Sequence, residues 1–305
     1  LTLSIVLAEE GFKVFGIDND KNKIKLLNTN KSFLHENNIE DRLKFISKYR
    51  DIKYIEKSDN IPSNFHIISV GTPINSNKLP VFKSVENVLL SIVKNLKKND
   101  CIILRSTVPV GFTNNFIIKK ISKITKFKPG IDYNICFAPE RTIEGKALEE
   151  LKTNPQIIGG FSEKCLSKGI NFFKNITDKI IKVKNLETAE IAKLIDNSYR
   201  DTVFAYSNEI SMICDKYSIN TNEVISACNS DYHRNNIPFP SPGVGGACLS
   251  KDPHILIHSA KQKNYNARVI KSSRQTNELS VKHVGNKILK KINNIKKPSI
   301  LICGL

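Results

Sequence analysis

The segment Ser241-Pro242-Gly243-Val244-Gly245-Gly246-Ala247-Cys248-Leu249-Ser250-Lys251-Asp252-Pro253 carries the residue types of a covalent catalyst. Gly243, Gly245 and Gly246 let the backbone turn sharply and approach a ligand that side chains would hold away. Cys248 follows at once, then Lys251 and Asp252. Asp252-Pro253 reads as a helix start, with Asp as N-cap and Pro at the first helical position. Cys248 is then expected just before a helix N-terminus and beside a lysine, where a thiolate is stabilised. The chemistry would be nucleophilic. The same residues also read as plain loop chemistry, with the thiol packed as a small hydrophobe.

Two further groups have reactive spacing. Glu140 and Glu144, in Pro139-Glu140-Arg141-Thr142-Ile143-Glu144-Gly145, either share a helical face or flank a turn, and one could act as a general base on water. The alternative is two solvated surface acids. Glu190, Lys193, Asn197 and Arg200 recur at spacings of three, four and three, which places them on one face of a helix. That helix is expected from Leu186 to Lys216, roughly 45 Å long. Ile191, Leu194, Ile195, Ala205 and Ile210 occupy its other faces and suit burial. A polar stripe on such a helix either lines a site or is solvated, with an ordinary Glu190–Lys193 pair.

The elements that must position these groups alternate between strand and helix. Residues 1–11 read as a helix stopped by a glycine, and Lys13 to Asp18 as a strand ending in an acid. His66 to Val70, Cys101 to Leu104, Asn134 to Ala138 and Gln156 to Gly160 are strand-sized apolar runs. Helical spacing covers residues 81 to 97, and a short helix and strand reach Val183. The fold class is α/β: a Rossmann-type dinucleotide-binding domain, then a mostly helical central domain. In such a domain Asp18 is placed to hold ribose hydroxyls, which favours NAD over its 2′-phosphorylated form. Arg274 to Glu278 opens a later helix, and Lys297 to Leu305 reads as a strand running into a glycine turn.

A chain of 305 residues holds two domains with real cores. Its seven cysteines are odd in number and show no Cys-x-x-Cys spacing, which reads as reduced and cytoplasmic, with no metal site. No apolar run is long enough to span a membrane. The formal net charge of +18 would suit a nucleic-acid binder. However, the lysines are dispersed among Asn and Ile, as in Lys21-Asn22-Lys23-Ile24-Lys25, with no Arg-rich tract or aromatic stacking motif. A solvated basic surface with some surplus for anionic ligands is the reading taken, and no nucleic acid or membrane partner is expected.

Four segments together resemble the nucleotide-sugar 6-dehydrogenases, the family of UDP-glucose and UDP-N-acetylhexosamine dehydrogenases. They are Ser106-Thr107-Val108-Pro109-Val110-Gly111, Pro139-Glu140-x-x-x-Glu144-Gly145, Glu190-x-x-Lys193-x-x-x-Asn197, and Gly245-Gly246-Ala247-Cys248-x-x-Lys251-Asp252. Ala247 departs from the His, Ser or Pro usual in the family. The resemblance implies NAD-dependent, four-electron oxidation of a UDP-sugar C6 alcohol, with Cys248 as nucleophile. It implies that Lys193 and Asn197 hold the oxyanion and the attacking water, that Glu140 serves hydrolysis, and that Asp252 and Thr107 assist. Asp18, Thr72, Ser106, Thr107, Glu144 and Lys251 would meet NAD; Glu140, Arg141, Lys193, Asn197, Arg200, Arg234 and Gly245 would meet the substrate. Arg141, with Ser198-Tyr199-Arg200, favours an N-acetylhexosamine over glucose.

The family uses its long helix as a hinge and dimer core, so a homodimer is expected. The expected domains are 1–185 for NAD, 186–296 for the helical centre, and 297–305 as the start of a UDP-binding domain. The chain is expected to be a fragment, because it opens after the place of the Gly-rich phosphate loop. Rival readings are a UDP-glucose 6-dehydrogenase, a single-step 6-phosphogluconate-type dehydrogenase needing no cysteine, and a non-catalytic basic scaffold.

Overall fold

The computed structural model describes residues 1–57 and 61–302. Contact density divides the chain into two compact units, Leu1–Asn75 with Pro80–Lys193, and Ser76–Leu79 with Leu194–Leu305.

The first unit alternates helix and strand: α1 (Thr2–Glu9), β1 (Val14–Ile17), α2 (Lys21–Asn28), α3 (Ile39–Tyr49), β2 (Ile52–Ile55), β3 (Phe65–Ile68), α4 (Lys83–Asn95), β4 (Cys101–Leu104), α5 (Lys119–Thr125), β5 (Asn134–Phe137), α6 (Ala147–Thr153), β6 (Gln156–Gly160), α7 (Glu163–Phe173) and β7 (Ile180–Val183). A π-helical turn, Thr113–Ile118, leads into α5. β1 and β2 pair in parallel. β3, β4 and β5 form a parallel set, β6 joins β5 antiparallel, and β7 runs parallel to β6.

β4 is buried on both faces, as a central parallel strand must be. Its period-two alternation sorts the core into two clusters. Cys101 and Ile103 pack with α1, α3 and α7, whereas Ile102 and Leu104 pack with α4, α5 and Leu186. The antiparallel β6 carries Gly159 and Gly160, and each is a close approach. A Cβ on Gly159 would stand 2.3 Å from the Asn185 carbonyl oxygen, and one on Gly160 2.4 Å from the Leu166 nitrogen.

The second unit holds most of α8 (Leu186–Tyr217), then α9 (Thr221–Asn229), α10 (Asp252–Lys261) and α11 (Arg268–Ile292). α8 is one uninterrupted helix of 32 residues, begun in the first unit and continued in the second. Several expectations are corrected here. Asp252 is not an N-cap: Lys251 takes that position, and Asp252 lies buried in the first turn of α10 beside Pro253. Arg274 to Glu278 lies inside α11, which starts at Arg268. Ile195 is half exposed rather than buried. Residues 297–302 form no strand, and Cys303, Gly304 and Leu305 lie outside the described residues. No helix among the described residues is long and apolar enough to cross a membrane.

Candidate active site

At the carboxyl ends of β3 and β4 the turns are stitched together by the residues expected to meet NAD. Ser106 Oγ donates to the Val70 carbonyl at 2.7 Å, and Thr72 Oγ1 donates to the Thr107 carbonyl at 2.6 Å. Thr72 and Ser106 are buried. Their hydroxyls hold the main chain in shape, so these turns offer backbone to a ligand. Asp18 follows β1; its Oδ1 accepts the Asp20 amide at 2.9 Å, and Lys23 Nζ stands 3.7 Å from Oδ2. These residues fit NAD. The partly exposed carboxylate suits a ribose diol and would repel a 2′-phosphate, and Gly71 has open space where a Cβ would stand.

Glu140 follows β5, and both of its oxygens accept hydrogen bonds. Its Oε1 accepts the amides of Arg141 and Thr142 at 2.8 and 2.9 Å, and its Oε2 accepts from Arg105 at 2.5 Å. Arg105 is itself buried, and donates to Gln156 Oε1 at 2.9 Å. Burial pushes the Glu140 carboxyl up, but the Arg105 charge, its hydrogen bond and those of Thr142 outweigh this and hold it at about 2. Glu144 is exposed and shares no helix with Glu140, so the pair flanks a turn. Arg141 reaches the Pro155 carbonyl at 3.5 Å.

The polar stripe of α8 is graded in burial. Glu190 is fully buried, Lys193 is half-buried, Asn197 is buried, and Arg200 is exposed. Glu190 accepts the Gly111 amide at 2.5 Å, the Thr113 amide at 2.8 Å and the Thr113 hydroxyl at 2.6 Å. The Glu190–Lys193 surface pair envisaged from spacing is replaced by these donors at a helix start.

In the second unit Asn197 Nδ2 donates to Asp252 Oδ2 at 2.6 Å, and Lys251 Nζ is paired with Asp252 Oδ1. The Cys248 carbonyl accepts the Lys251 and Asp252 amides at 3.1 and 2.9 Å. Cys248 is exposed, which removes the buried-hydrophobe reading. Gly246 has φ +82°, a left-handed conformation that favours glycine. Arg234 and Gly245 are exposed. The spacing thus brings together Cys248, Asp252, Lys251 and Asn197 in this unit. In the other unit it brings together Thr72, Ser106 and Thr107, with Glu140 joined to the same strand ends through Arg105.

Residues 1–177 match the model of the UDP-glucose/GDP-mannose dehydrogenase family, NAD binding domain, and residues 187–279 match that family's central domain. The chain belongs to this family. It is a nucleotide-sugar dehydrogenase, an NAD-dependent oxidoreductase. A UDP-N-acetyl-D-mannosamine dehydrogenase of Campylobacter jejuni is 32% identical over 312 residues, spanning 100% of this chain and 75% of the relative. The structure of the UDP-D-ManNAc dehydrogenase of Pyrococcus horikoshii superposes with a TM-score of 0.89 at 30% identity, covering 96% of this chain and 69% of that one. That of the Staphylococcus aureus UDP-N-acetyl-mannosamine dehydrogenase gives 0.87 at 30% identity, covering 98% and 69%.

Within this family frame, two groups were not singled out by sequence reasoning. Arg105 ends the wholly apolar strand Cys-Ile-Ile-Leu, so a charge there is forced toward burial and a partner; that was its available signal. Asp201 pairs with Arg274 across α8 and α11, 73 residues apart, and no local pattern announces it.

Proposed function

We propose that the chain oxidises the C6 alcohol of a UDP-N-acetylhexosamine, of the UDP-N-acetylmannosamine type, to the carboxylate through a covalent thioester on Cys248, for cell-surface polysaccharide synthesis. The observation that carries this reading is an exposed thiol beside a buried hydrogen-bonded array. The Cys248 carbonyl is bonded by the Asp252 amide, and the Asp252 carboxylate is bonded by Asn197 of α8. NAD, which Asp18 and the turns bearing Thr72, Ser106 and Thr107 would hold, would accept one hydride per molecule, so two NAD molecules would serve each sugar in succession. The remaining steps belong to the chain. The Cys248 thiol adds across the aldehyde carbonyl, sulfur to carbon and proton to oxygen, giving a thiohemiacetal. Loss of the second hydride and a proton leaves a thioester, which water cleaves to the acid with return of the thiol. A covalent tether keeps the aldehyde from escaping between the two oxidations.

Lys193 supplies positive charge, and Asn197 hydrogen bonds, where oxyanion charge develops. Asp252 orients Asn197 and Lys251. Glu140, ionised at any working pH, serves hydrolysis as a fixed acceptor for water; a carboxylate at about 2 is too weak a base to take a full proton. The N-acetylhexosamine choice draws support from Arg141, Arg200 and the names of the relatives. NADH release by the intact protein across a panel of UDP-sugars tests the whole scheme. Two NADH per sugar are expected, with the N-acetylhexosamine turned over fastest. One NADH per sugar would end the four-electron scheme, and a preference for UDP-glucose would move the substrate assignment.

The same reading includes a homodimer built on α8. Ile195, Tyr199, Tyr206, Ile213 and Tyr217 are 49% to 74% exposed and recur at spacings of four, seven, seven and four. They form a heptad-like apolar row along one helix, the pattern that seeks a partner helix. The protein is expected to sediment as a dimer, and Ile213→Glu as a monomer. A monomeric parent protein would refute the dimer.

A further inference from the structure

α8 and α11 face each other with polar groups where apolar ones would pack as well. Asp201, Asn208, Arg274, Asn277 and Ser280 are all buried. Arg274 Nη1 donates to Asp201 Oδ1 at 2.5 Å, and Asn277 Nδ2 donates to the same oxygen at 2.8 Å and to the Asp201 carbonyl at 2.9 Å. Asn208 Nδ2 donates to Asn277 Oδ1 at 2.9 Å. Burying an ion pair this way is seldom a gain in stability over a hydrophobic pair of similar volume. The network therefore calls for another purpose.

Its outward bonds indicate one. Asn208 Oδ1 accepts the Ser241 amide at 2.9 Å, and Ser280 Oγ donates to the Ser241 carbonyl at 3.1 Å. Arg274 Nη1 donates a second bond, at 3.1 Å, to the carbonyl of Leu249, the neighbour of Cys248. The network thus grips the cysteine loop at both ends, while Gly245, Gly246 and Cys248 between them are exposed. Near the first grip Gly243 lies close against α11, where a Cβ would stand 2.5 Å from Val281 Cγ2. The Arg274–Asp201 pair is also not closed as the two-toothed fork that gives the strongest union. Asp201 Oδ2 and Arg274 Nε are buried without hydrogen-bond partners, while Nη1 is shared with the loop. A pair built for stability alone would use those atoms first.

We infer that Arg274 is a positioning residue for Cys248: oriented by Asp201 and Asn277, it fixes the Leu249 peptide and thereby the place from which the thiol attacks. This rests on the reading of Cys248 as the nucleophile. A nucleophile displaced by about 1 Å loses on the order of 100-fold in rate. The test uses the intact protein with Arg274→Lys, which keeps a cation opposite Asp201 but ends one bond short of the Nη1 position that serves carboxylate and carbonyl together. The expected result is a kcat about 10- to 100-fold lower per folded molecule, an unchanged KM for NAD, and NADH per sugar falling from two toward one as uncaptured aldehyde escapes. Unchanged kcat and stoichiometry in folded Arg274→Lys would overturn the proposal. If that variant does not fold, Ser280→Ala decides: it loosens only the Ser241 grip and should lower kcat about two- to fivefold, whereas full activity overturns the clamp. Cys248→Ser is assayed alongside. Two NADH per sugar from that variant would mean that the nucleophile reading, not the clamp, is what failed.

Discussion

Cys248→Ser is expected to form no acid at a measurable rate, with turnover lowered by at least about 10³-fold, the scale seen when a nucleophile is removed. A serine hydroxyl is almost wholly protonated near neutral pH and is a far weaker nucleophile than a thiol, which is partly ionised there. The substitution is nearly isosteric at an exposed position, so the fold should be untouched. The measurement is acid product by mass spectrometry together with NADH by absorbance. Free aldehyde is the expected residue of the reaction, because the first oxidation does not use the sulfur. Retention of full acid formation would transfer the capture step to another group and end the covalent scheme.

The second large effect is expected at Glu190, and it is structural first. Its carboxylate is the partner of two backbone amides and a hydroxyl at the entrance to the π-helical turn. Glu190→Ala would leave these donors buried and unpaired, at about 1–3 kcal/mol for each, so a loss of at least about 3 kcal/mol is expected in urea unfolding. Burial pushes this carboxyl up to about 7, although the Thr113 and Gly111 donors pull it down. Since its unfolded value is about 4.5, the folded protein binds this proton more tightly between those two limits. Its contribution to stability is therefore complete below pH 4.5 and is lost as pH rises through 7, by roughly 3 kcal/mol. Glu190→Gln should abolish that slope when compared with the parent protein, and should sit about 1–2 kcal/mol lower in mild acid because its amide N–H₂ faces the Gly111 N–H. Parallel pH profiles for variant and parent would contradict the assignment.

Much of this arrangement was legible in the amino-acid order. β4 and β6 were bounded to the residue, β4 because it is a short apolar run between Asp100 and Arg105, and β6 because Pro155 precedes it and a glycine pair closes it. α8 was bounded to within one residue, because its period persists over many turns. Residues 19 to 65 were not resolved into α2, α3 and β2. There Lys and Asn crowd the exposed faces, and the apolar positions are few, such as Ile24 and Leu27 in α2. Asp252 was misread for a physical reason. Asp before Pro fits a helix cap, but a carboxylate is also what Asn197 needs from 55 residues away, and that pairing set its place. The Asp201–Arg274 pair shares this character: each half looks like a surface charge until the fold supplies the other. Local propensity reports a residue's neighbours in the chain and is silent about partners across the core.

The seam between β6 and the start of α7 has a genetic consequence. At Gly159 and Gly160 there is no space for even a methyl group, and at Gly169 on α7 an added carbon would meet Cys136 Sγ at 2.8 Å. Every missense change of a glycine codon installs a side chain. Drift at these three places therefore has no gentle first step: Gly159 and Gly160 wait on a shift of the facing backbone, and Gly169 on a change at Cys136.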